Sequence, residues 1–365
     1  MRSMTGLLAV VLTTILSAQE ASRLDPALVA PLQWRSIGPV NTGGRIDDFA
    51  VARVPGAPDA IYVGTASGGV FKSTNGGTSW TPIFDKVDAM MSIGDVAVAP
   101  GNPSIVWVGT GEANNRQSSS WGDGVYKSSD GGRTWKNMGL KETRHIGRII
   151  IDPANPDVVF VAAIGHLWGS NPDRGVFKTV NGGQTWTKVL YVDENTGAND
   201  ILMDPKNPQV LFASTYQRQR KAWGFNGGGP GSGIYRSPDG GATWTKLTKG
   251  LPQGDKGRIG LDLFLGDSRI VYATIEAGGG RGAAGGGGGR GAAGGGGRAA
   301  GAGAAAAGEG EAAAAAGGEG GVYRTTDGGE SWERLTGTNP RPSYYSQIRI
   351  DPKDKNRIYL LGSNR

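Results

Sequence analysis

The polar segment from Glu112 to Asp123 brings together side chains that could carry out chemistry on a ligand. A carboxylate stands at each end of the segment, and hydrolysis of a glycosidic bond needs two carboxyl groups, one as acid and one as base or nucleophile. Glu112 and Asp123 are therefore the candidate catalytic residues. Other carboxylates in comparable segments are Asp47, Asp48 and Asp173.

Three tryptophans fall in polar segments predicted to be long loops, at residues 111–122, 165–174 and 216–232. Tryptophan beside arginine, asparagine and acidic residues suits stacking on a sugar ring or anchoring of a peptide. Each tryptophan could instead fold over its own loop as a small local core. Because all three occur in one class of loop, we predict a ligand-binding surface with the candidate residues Arg116, Trp121, His145, His166, Trp168, Arg218 and Trp223.

The composition excludes several kinds of site. The chain contains no cysteine, so it has no disulfide, no cysteine–zinc site and no thiol nucleophile. Its two histidines leave little room for a multi-histidine metal centre, and we expect neither a metal nor a cofactor. The net charge of +6 over 365 residues is too small to indicate a nucleic-acid partner.

One eight-residue motif ending in tryptophan occurs five times and organises the chain. Its copies begin at Ser73, Ser128, Thr179, Ser237 and Thr325. The terminal tryptophans are 55, 51, 58 and 88 residues apart, and subtracting a 44-residue tract of Gly, Ala, Arg and Glu reduces the last spacing to 44. This tract is therefore an insertion within one repeat.

Short apolar runs accompany every copy of the motif. The run just before the motif reads Gly-Val-Phe-Lys or a close variant. Two further apolar runs lie upstream and are separated by a turn rich in Pro and Asn. The tryptophan of the motif begins a fourth run. Four antiparallel strands that recur at this spacing predict an all-β fold, namely a β-propeller of four-stranded blades.

The motif has a mechanical explanation. Asn or Asp can hydrogen-bond its own backbone two residues on, the glycines take the positive φ of a tight turn, and the tryptophan is expected to pack on its own blade or the next one. A calcium or catalytic role is less favoured because two copies carry an uncharged Asn. We assign a structural role to Asn75, Trp80, Asp130, Trp135, Asn181, Trp186, Asp239, Trp244, Asp327 and Trp332.

The pattern S/T-x-D/N-G-G-x-T/S-W resembles the Asp-box, or BNR, repeat. Its order and the Gly-Val-Phe-Lys strand are most similar to exported bacterial proteins of the sortilin N-terminal-domain type, within the YVTN/BNR-like β-propeller superfamily. Many of these are labelled glycosyl hydrolase. The resemblance covers residues 32–365 apart from the insertion, and it implies a propeller without implying one particular activity.

The resemblance bears on the hydrolase hypothesis. Xyloglucanase-type propellers carry a catalytic aspartate after the second strand of the first blade, and Ala66 stands at that position here. Sialidases use an arginine triad, and Arg45, Arg148 and Arg258 recur at similar places in their blades. Recurrence in three blades is equally expected of a structural lining of the central channel, so no complete catalytic set can be assigned.

The chain is expected to begin with a signal peptide at residues 1–18, which has a basic start, a ten-residue apolar stretch and a small-residue exit. A linker at 19–31 precedes the propeller at 32–365, which a disordered Gly/Ala-rich insertion interrupts at 278–320. About five complete blades and a partial sixth are predicted, either a longer propeller cut short at the C-terminus or a six-bladed ring lacking one strand. The mature protein would be periplasmic or extracellular, with no membrane span.

Three functional hypotheses follow. The first is an exported propeller that recognises a peptide or a glycan on the face that carries its long loops. The second is a glycoside hydrolase of xyloglucanase-like architecture acting on β-glucans. A third is an assembly scaffold without a small ligand. The expected partner is thus a peptide or polysaccharide, and no nucleic acid.

Overall fold

A computed structural model describes residues 45–54, 56–116, 119–222, 224–277 and 318–362. The predicted signal peptide, the linker, Trp223 and nearly all of the predicted insertion lie outside the described residues. Within the described part, regular structure is β-strand except for one 3-10 turn at Lys141–Thr143.

The first three blades are four-stranded antiparallel sheets whose strands pair in chain order. The first contains Ile46–Ala52 (β1), Ala60–Thr65 (β2), Gly69–Ser73 (β3) and Thr81–Pro82 (β4). The second contains Ile93–Ala99 (β5), Asn102–Thr110 (β6), Val125–Ser128 (β7) and Lys136–Asn137 (β8). The third contains Ile146–Ile151 (β9), Val159–Ala163 (β10), Gly175–Thr179 (β11) and Thr187–Leu190 (β12).

The remaining sheets follow the same order, with one extra strand in the fourth blade. That blade contains Thr196–Asp204 (β13), Asn207–Lys221 (β14), Gly224–Gly227 (β15), Gly233–Ser237 (β16) and Thr245–Leu247 (β17). The fifth contains Lys256–Leu263 (β18), Val271–Ala277 (β19), Gly321–Thr325 (β20) and Glu333–Thr336 (β21). A two-stranded sheet, Ile348–Asp351 (β22) and Asp354–Leu360 (β23), comes last, and the predicted fold class is confirmed.

The apolar core lies in layers between successive blades. Strand β6 illustrates why: the side chains of Val106 and Val108 pack toward the first blade, whereas that of Trp107 packs toward the third. Residues on a strand alternate between its two faces, and here both faces are buried. The second strands of the blades therefore read as nearly continuous apolar runs.

The repeated motif forms the same turn in each blade, which the second copy illustrates. The Oγ of Ser128 accepts the N–H of Gly132 at 2.8 Å and donates to Oδ1 of Asp130 at 2.8 Å. The N–H of Thr134 donates to the same Oδ1 at 2.9 Å, and both glycines have positive φ. Asn181 supplies the same acceptor atom in the third blade, so the turn requires an oxygen and not a charge.

Four motif tryptophans lie in core layers that combine residues of their own blade with residues of the preceding blade, so the expected partner outside their own blade is the preceding blade and not the next. The indole Nε1–H of Trp135 donates to the carbonyl of Ile83 at 3.0 Å, and that of Trp186 donates to the carbonyl of Met138 at 2.7 Å. Trp80 is 41% exposed, whereas Trp332 is 5% exposed. Burial of the five tryptophans is therefore unequal.

Candidate ligand-binding face

The blade topology places two kinds of connection on one face of the molecule. Strand two runs to strand three, and strand four runs to the next blade, on what we call the loop face. The motif turns and the turns between strands one and two lie at the opposite, turn face, where the N–H of Gly131 donates to the carbonyl of Ser104 at 2.9 Å.

On the loop face, the connection after β6 folds inward and closes the centre. Its residues Glu112, Ala113, Asn114 and Asn115 are all buried, and we call them the central plug. Glu112 pairs with Arg45 through two hydrogen bonds, at 2.5 Å between Nη2 and Oε2 and at 3.2 Å between Nε and Oε1. A candidate catalytic carboxylate is thus placed in a buried ion pair.

The central plug also gathers side chains from the fourth and fifth blades. The guanidinium of Arg218 donates to the carbonyls of Ala113 at 2.8 Å and Asn114 at 3.1 Å, and burial lowers its pKa to about 10. The Nδ2 of Asn115 donates to the hydroxyl of Tyr216 at 3.2 Å. Arg258 donates to Oδ1 of Asn114 at 2.7 Å. Arg218, predicted as a ligand contact, therefore holds the plug.

Below the plug, carboxylates on the innermost strands join one blade to the next. Each accepts a backbone N–H from the following innermost strand, at 2.7 to 3.1 Å, in the pairs Asp48 with Val96, Asp95 with Ile149, Asp200 with Leu261, and Asp262 with Ile350. Burial raises the pKa of Asp95 well above its usual range. The guanidinium of Arg148 lies 3.7 Å from the carboxylate of Asp200. Its positive charge also acts on Asp95, where it opposes the effect of burial on the pKa.

The three arginines that suggested a triad have different partners. Arg45 bonds Glu112, Arg148 lies beside Asp200, and Arg258 bonds Asn114. A cavity lined by Asp47, Arg148 and Arg258, but not by Arg45, has a volume of only about 20 Å³. It could hold a water molecule and is far too small for a sugar ring.

Three titratable groups beside the plug have shifted pKa values. Burial, followed by the charge of Glu112, raises the pKa of Asp47 to about 8, and burial raises that of Glu276 to about 7. Burial lowers the pKa of His145 to about 3. The Nδ1–H of neutral His145 donates to the carbonyl of Glu112 at 2.9 Å, so this histidine also supports the plug.

Asp123 lies at the end of the same connection but makes unrelated contacts. Its Oδ2 accepts the hydroxyl of Tyr126 at 2.7 Å, and its Oδ1 accepts the hydroxyl of Thr110 at 3.3 Å. Glu112 and Asp123, the two ends of one polar segment, therefore share no hydrogen-bond partner among these contacts.

The predicted loop at 216–232 is instead largely a β-hairpin, because β14 continues to Lys221 and pairs with β15. Arg218 and Arg220 face inward along this extension while Gln217 and Gln219 are partly exposed, which is the alternation of a strand. The run Gln-Arg-Gln-Arg-Lys carried this signal, but the charges and the nearby glycines favoured a loop prediction.

The hairpin joins the long connection of the third blade into one surface. The N–H of Arg220 donates to the carbonyl of Leu167 at 2.6 Å, and the hydroxyl of Ser170 donates to Oδ1 of Asn195 at 2.6 Å. Gln219 donates to both Ser170 and Asn195. We call this surface the platform, comprising Trp168, Ser170, Asn195, Gln219, Arg220 and Phe225.

The platform presents aromatic side chains to solvent. Trp168 is 59% exposed and Phe225 39% exposed, and the guanidinium of Arg220 lies 5.6 Å from the centre of the Phe225 ring. Trp168 and Arg220 also form a backbone bridge. The side chain of Trp168 therefore does not fold over its loop as a local core.

The other predicted ligand residues are scattered over the loop face. Trp121 is 55% exposed in the second blade. Arg116 lies with its guanidinium 5.7 Å from the ring of Tyr344. His166 has its Nε2 3.6 Å from Glu142. The structure thus joins Trp168 to the hairpin but does not join Trp121 to the platform through any of the contacts described above.

Neither a metal site nor a membrane-spanning helix emerges from the residues that the structure describes. They contain no group of three or more His, Asp or Glu side chains arranged to hold a metal ion. None of their helical structure is long and apolar enough to cross a bilayer.

The four-stranded blades with their five motif turns define the class: a β-propeller whose turns resemble the BNR, or Asp-box, repeat. The family model for sortilin, neurotensin receptor 3, matches residues 123–255. The resemblance seen in the motif is confirmed by this match.

The chain is also similar to curated xyloglucanases. A xyloglucanase from a Paenibacillus species is 25% identical over 271 residues, which is 67% of this chain and 25% of the relative. A xyloglucanase from Hypocrea jecorina is 25% identical over 243 residues, which is 60% of this chain and 28% of the relative. The chain thus spans about a quarter of the length of these relatives.

Solved structures share the fold. A GH74 enzyme from Niastella koreensis aligns with a TM-score of 0.57 at 16% identity, over 87% of this chain and 44% of that one. An ancestral GH74 enzyme aligns with a TM-score of 0.54 at 20% identity, over 86% of this chain and 34% of that one.

Proposed function

We propose that the protein binds a β-glucan, with xyloglucan as the best probe, on the platform of its loop face. The observation that carries this proposal is the exposure of Trp168 on a surface held by hydrogen bonds from two blades. A sugar ring stacks on an exposed indole through its C–H face, and fixed amides and hydroxyls bond its hydroxyls. The printed names of the relatives, which are xyloglucanases, favour a glycan over a peptide.

The rigidity of the platform supports the same proposal. Gln219, Ser170 and Asn195 already bond one another, so little side-chain entropy remains to be lost when a ligand binds. Phe225 provides a second exposed aromatic surface on the same hairpin as Gln219.

A glycoside hydrolase is the second candidate, since the relatives are enzymes by name. Its carboxylates would be Glu112, with Asp123 as the second sequence candidate, or Asp47, whose pKa of about 8 keeps it protonated at neutral pH as a general acid requires. The geometry favours binding over hydrolysis, because Glu112 is buried in an ion pair and the adjacent cavity of about 20 Å³ cannot admit a sugar.

Export to the periplasm or the extracellular space is part of the proposal. It rests on the predicted signal peptide at 1–18 and suits a ligand that is a polysaccharide.

Isothermal titration of purified protein with xyloglucan oligosaccharides tests the binding proposal. We expect Trp168→Ala to weaken binding at least about tenfold, equivalent to about 1.4 kcal/mol. Trp80→Ala is the matched control, because it removes an exposed tryptophan from the turn face. Equal affinity of Trp168→Ala and wild type would overturn the platform assignment.

Release of reducing sugar from xyloglucan separates the two candidates. If wild-type protein releases it and Glu112→Gln abolishes the release while remaining folded, the protein is a hydrolase. Binding without release leaves the binding module as the function.

A further inference from the structure

A second concave site lies on the loop face where the fourth and fifth blades meet, and nothing in the proposed function uses it. It is a surface pocket of about 280 Å³, close to the lower end of the roughly 300–1,000 Å³ typical of small-molecule sites. Its lining includes Pro230, Ser232, Lys246, Pro252, Asp255 and Lys256.

Backbone contacts between the two blades build the walls of this pocket. The N–H of Gly229 donates to the carbonyl of Lys256 at 3.0 Å, which pins the end of one connection to the start of β18. The N–H of Gln253 donates to the carboxylate of Glu319 at 3.0 Å. The pocket is therefore formed by connections that are fixed to each other and not by one free loop.

Two ammonium groups line the pocket. The Nζ of Lys246 donates to the carbonyl of Pro230 at 3.0 Å, and that of Lys256 donates to the carbonyl of Gly254 at 3.2 Å. Each ammonium carries three N–H donors, so these bonds fix its position while leaving donors for a ligand.

The charge of Lys246 acts on Lys256. Burial, and after it the charge of Lys246, lowers the pKa of Lys256, although Asp255 and Glu319 act in the opposite direction. A bound anion would relieve the repulsion between the two ammonium groups. The rings of Pro230 and Pro252 add apolar walls, which suit the C–H face of a sugar.

We propose that this pocket binds the carboxylate of a uronic acid residue, so that Lys246 and Lys256 select polysaccharides that carry acidic sugars. This inference rests on the proposed function in that it names a glycan as the ligand. The site is distinct from the platform: one contacts a neutral ring through an indole, and the other contacts an anionic group through two ammonium ions.

Binding to two polysaccharides tests the inference, with polygalacturonate as the acidic probe and xyloglucan as the neutral one. The double variant K246Q/K256Q should bind polygalacturonate at least about tenfold more weakly and xyloglucan with unchanged affinity. The matched control K86Q/K353Q removes the same charge from two exposed lysines outside the pocket, and it should bind both as wild type does.

The outcomes distinguish the pocket from the platform. Equal binding of polygalacturonate by K246Q/K256Q and the control, or no binding by wild type, overturns the pocket assignment while leaving the xyloglucan result intact. If wild-type protein does not bind xyloglucan but binds polygalacturonate, and this binding depends on the two lysines, the platform assignment is overturned and the pocket is supported. Monomeric galacturonate should compete for the site, and equal competition by inorganic sulfate would overturn the assignment to a sugar carboxylate.

Discussion

The central plug and the platform occupy equivalent positions in the fold, yet they present opposite surfaces. Both begin at the end of a blade's second strand on the loop face. In the second blade, Glu112 turns inward and pairs with Arg45, and Asn114 bonds Arg258. In the third and fourth blades, Trp168 and Phe225 remain exposed on the surface.

The difference shows that polar residue type alone does not identify a ligand site. Carboxylates and amides at the centre of the ring find partners on several blades, so their hydrogen-bonding capacity is used within the protein. At the rim, fewer neighbours are available and large aromatic side chains stay in contact with water. The groups best suited to chemistry therefore stabilise the fold, and the aromatic groups are left for binding.

The largest expected effect is loss of stability on changing the plug. Glu112→Gln should lower the free energy of unfolding by about 3 kcal/mol, because it leaves the partly buried guanidinium of Arg45 without its counter-ion. Thermal or urea unfolding monitored by tryptophan fluorescence measures this change.

Glu333→Gln is the matched control for that variant. It breaks an ion pair with Arg324 at the surface, where Glu333 is mostly exposed, and should change the free energy of unfolding by less than about 1 kcal/mol. Equal effects of the two variants would show that the plug is no more stabilising than an exposed pair.

The next effect concerns the pH dependence of stability at the centre. The pKa of Asp47 is about 8 in the folded protein and near 3.8 ordinarily, so its ionisation opposes folding as the pH rises from about 4 to about 8. Asp47→Asn removes that loss, so its stability relative to wild type should rise as the pH rises through this range.

Unfolding midpoints at pH 4 and pH 8 check this prediction. The difference between Asp47→Asn and wild type should be small at pH 4 and should favour the variant at pH 8. A constant difference across this range would contradict burial of an ionisable carboxyl at the plug.

A smaller effect is expected on the turn face for Asp130, whose carboxylate accepts hydrogen bonds from Ser128, Arg133 and Thr134 of its own turn. Asp130→Asn should leave the Tm nearly unchanged, because Asn181 accepts the same hydrogen bond in the third blade. Asp130→Ala should lower the Tm by a few degrees through loss of these bonds. A large fall with Asn would indicate that the charge itself is needed.

The blade architecture could be predicted from the sequence because its determinants are local. A turn that needs Asp or Asn followed by two glycines, and strands such as Gly175–Thr179, repeat with little variation. Strands β22 and β23 also form, as a two-stranded sheet after the fifth blade. Hydrogen bonds within each turn, and the alternation of apolar and polar residues along each strand, suffice to form these elements.

The candidate site depends on contacts distant in sequence, and these could not be predicted. Glu112 and Arg45 are 67 positions apart, and Asn114 and Arg258 are 144 apart. The choice of Trp168 as a ligand residue stays a prediction, although its exposure is consistent with that role. Which loop folds inward depends on charges supplied by other blades.

The most direct test measures stability and xyloglucan affinity together in Trp168→Ala and Glu112→Gln, below the unfolding temperature of both. Trp168→Ala should lose affinity with an unchanged Tm, and Glu112→Gln should lose Tm with unchanged affinity. The opposite result, in which Glu112→Gln abolishes binding and Trp168→Ala binds as wild type does, would place the ligand at the centre and contradict the account.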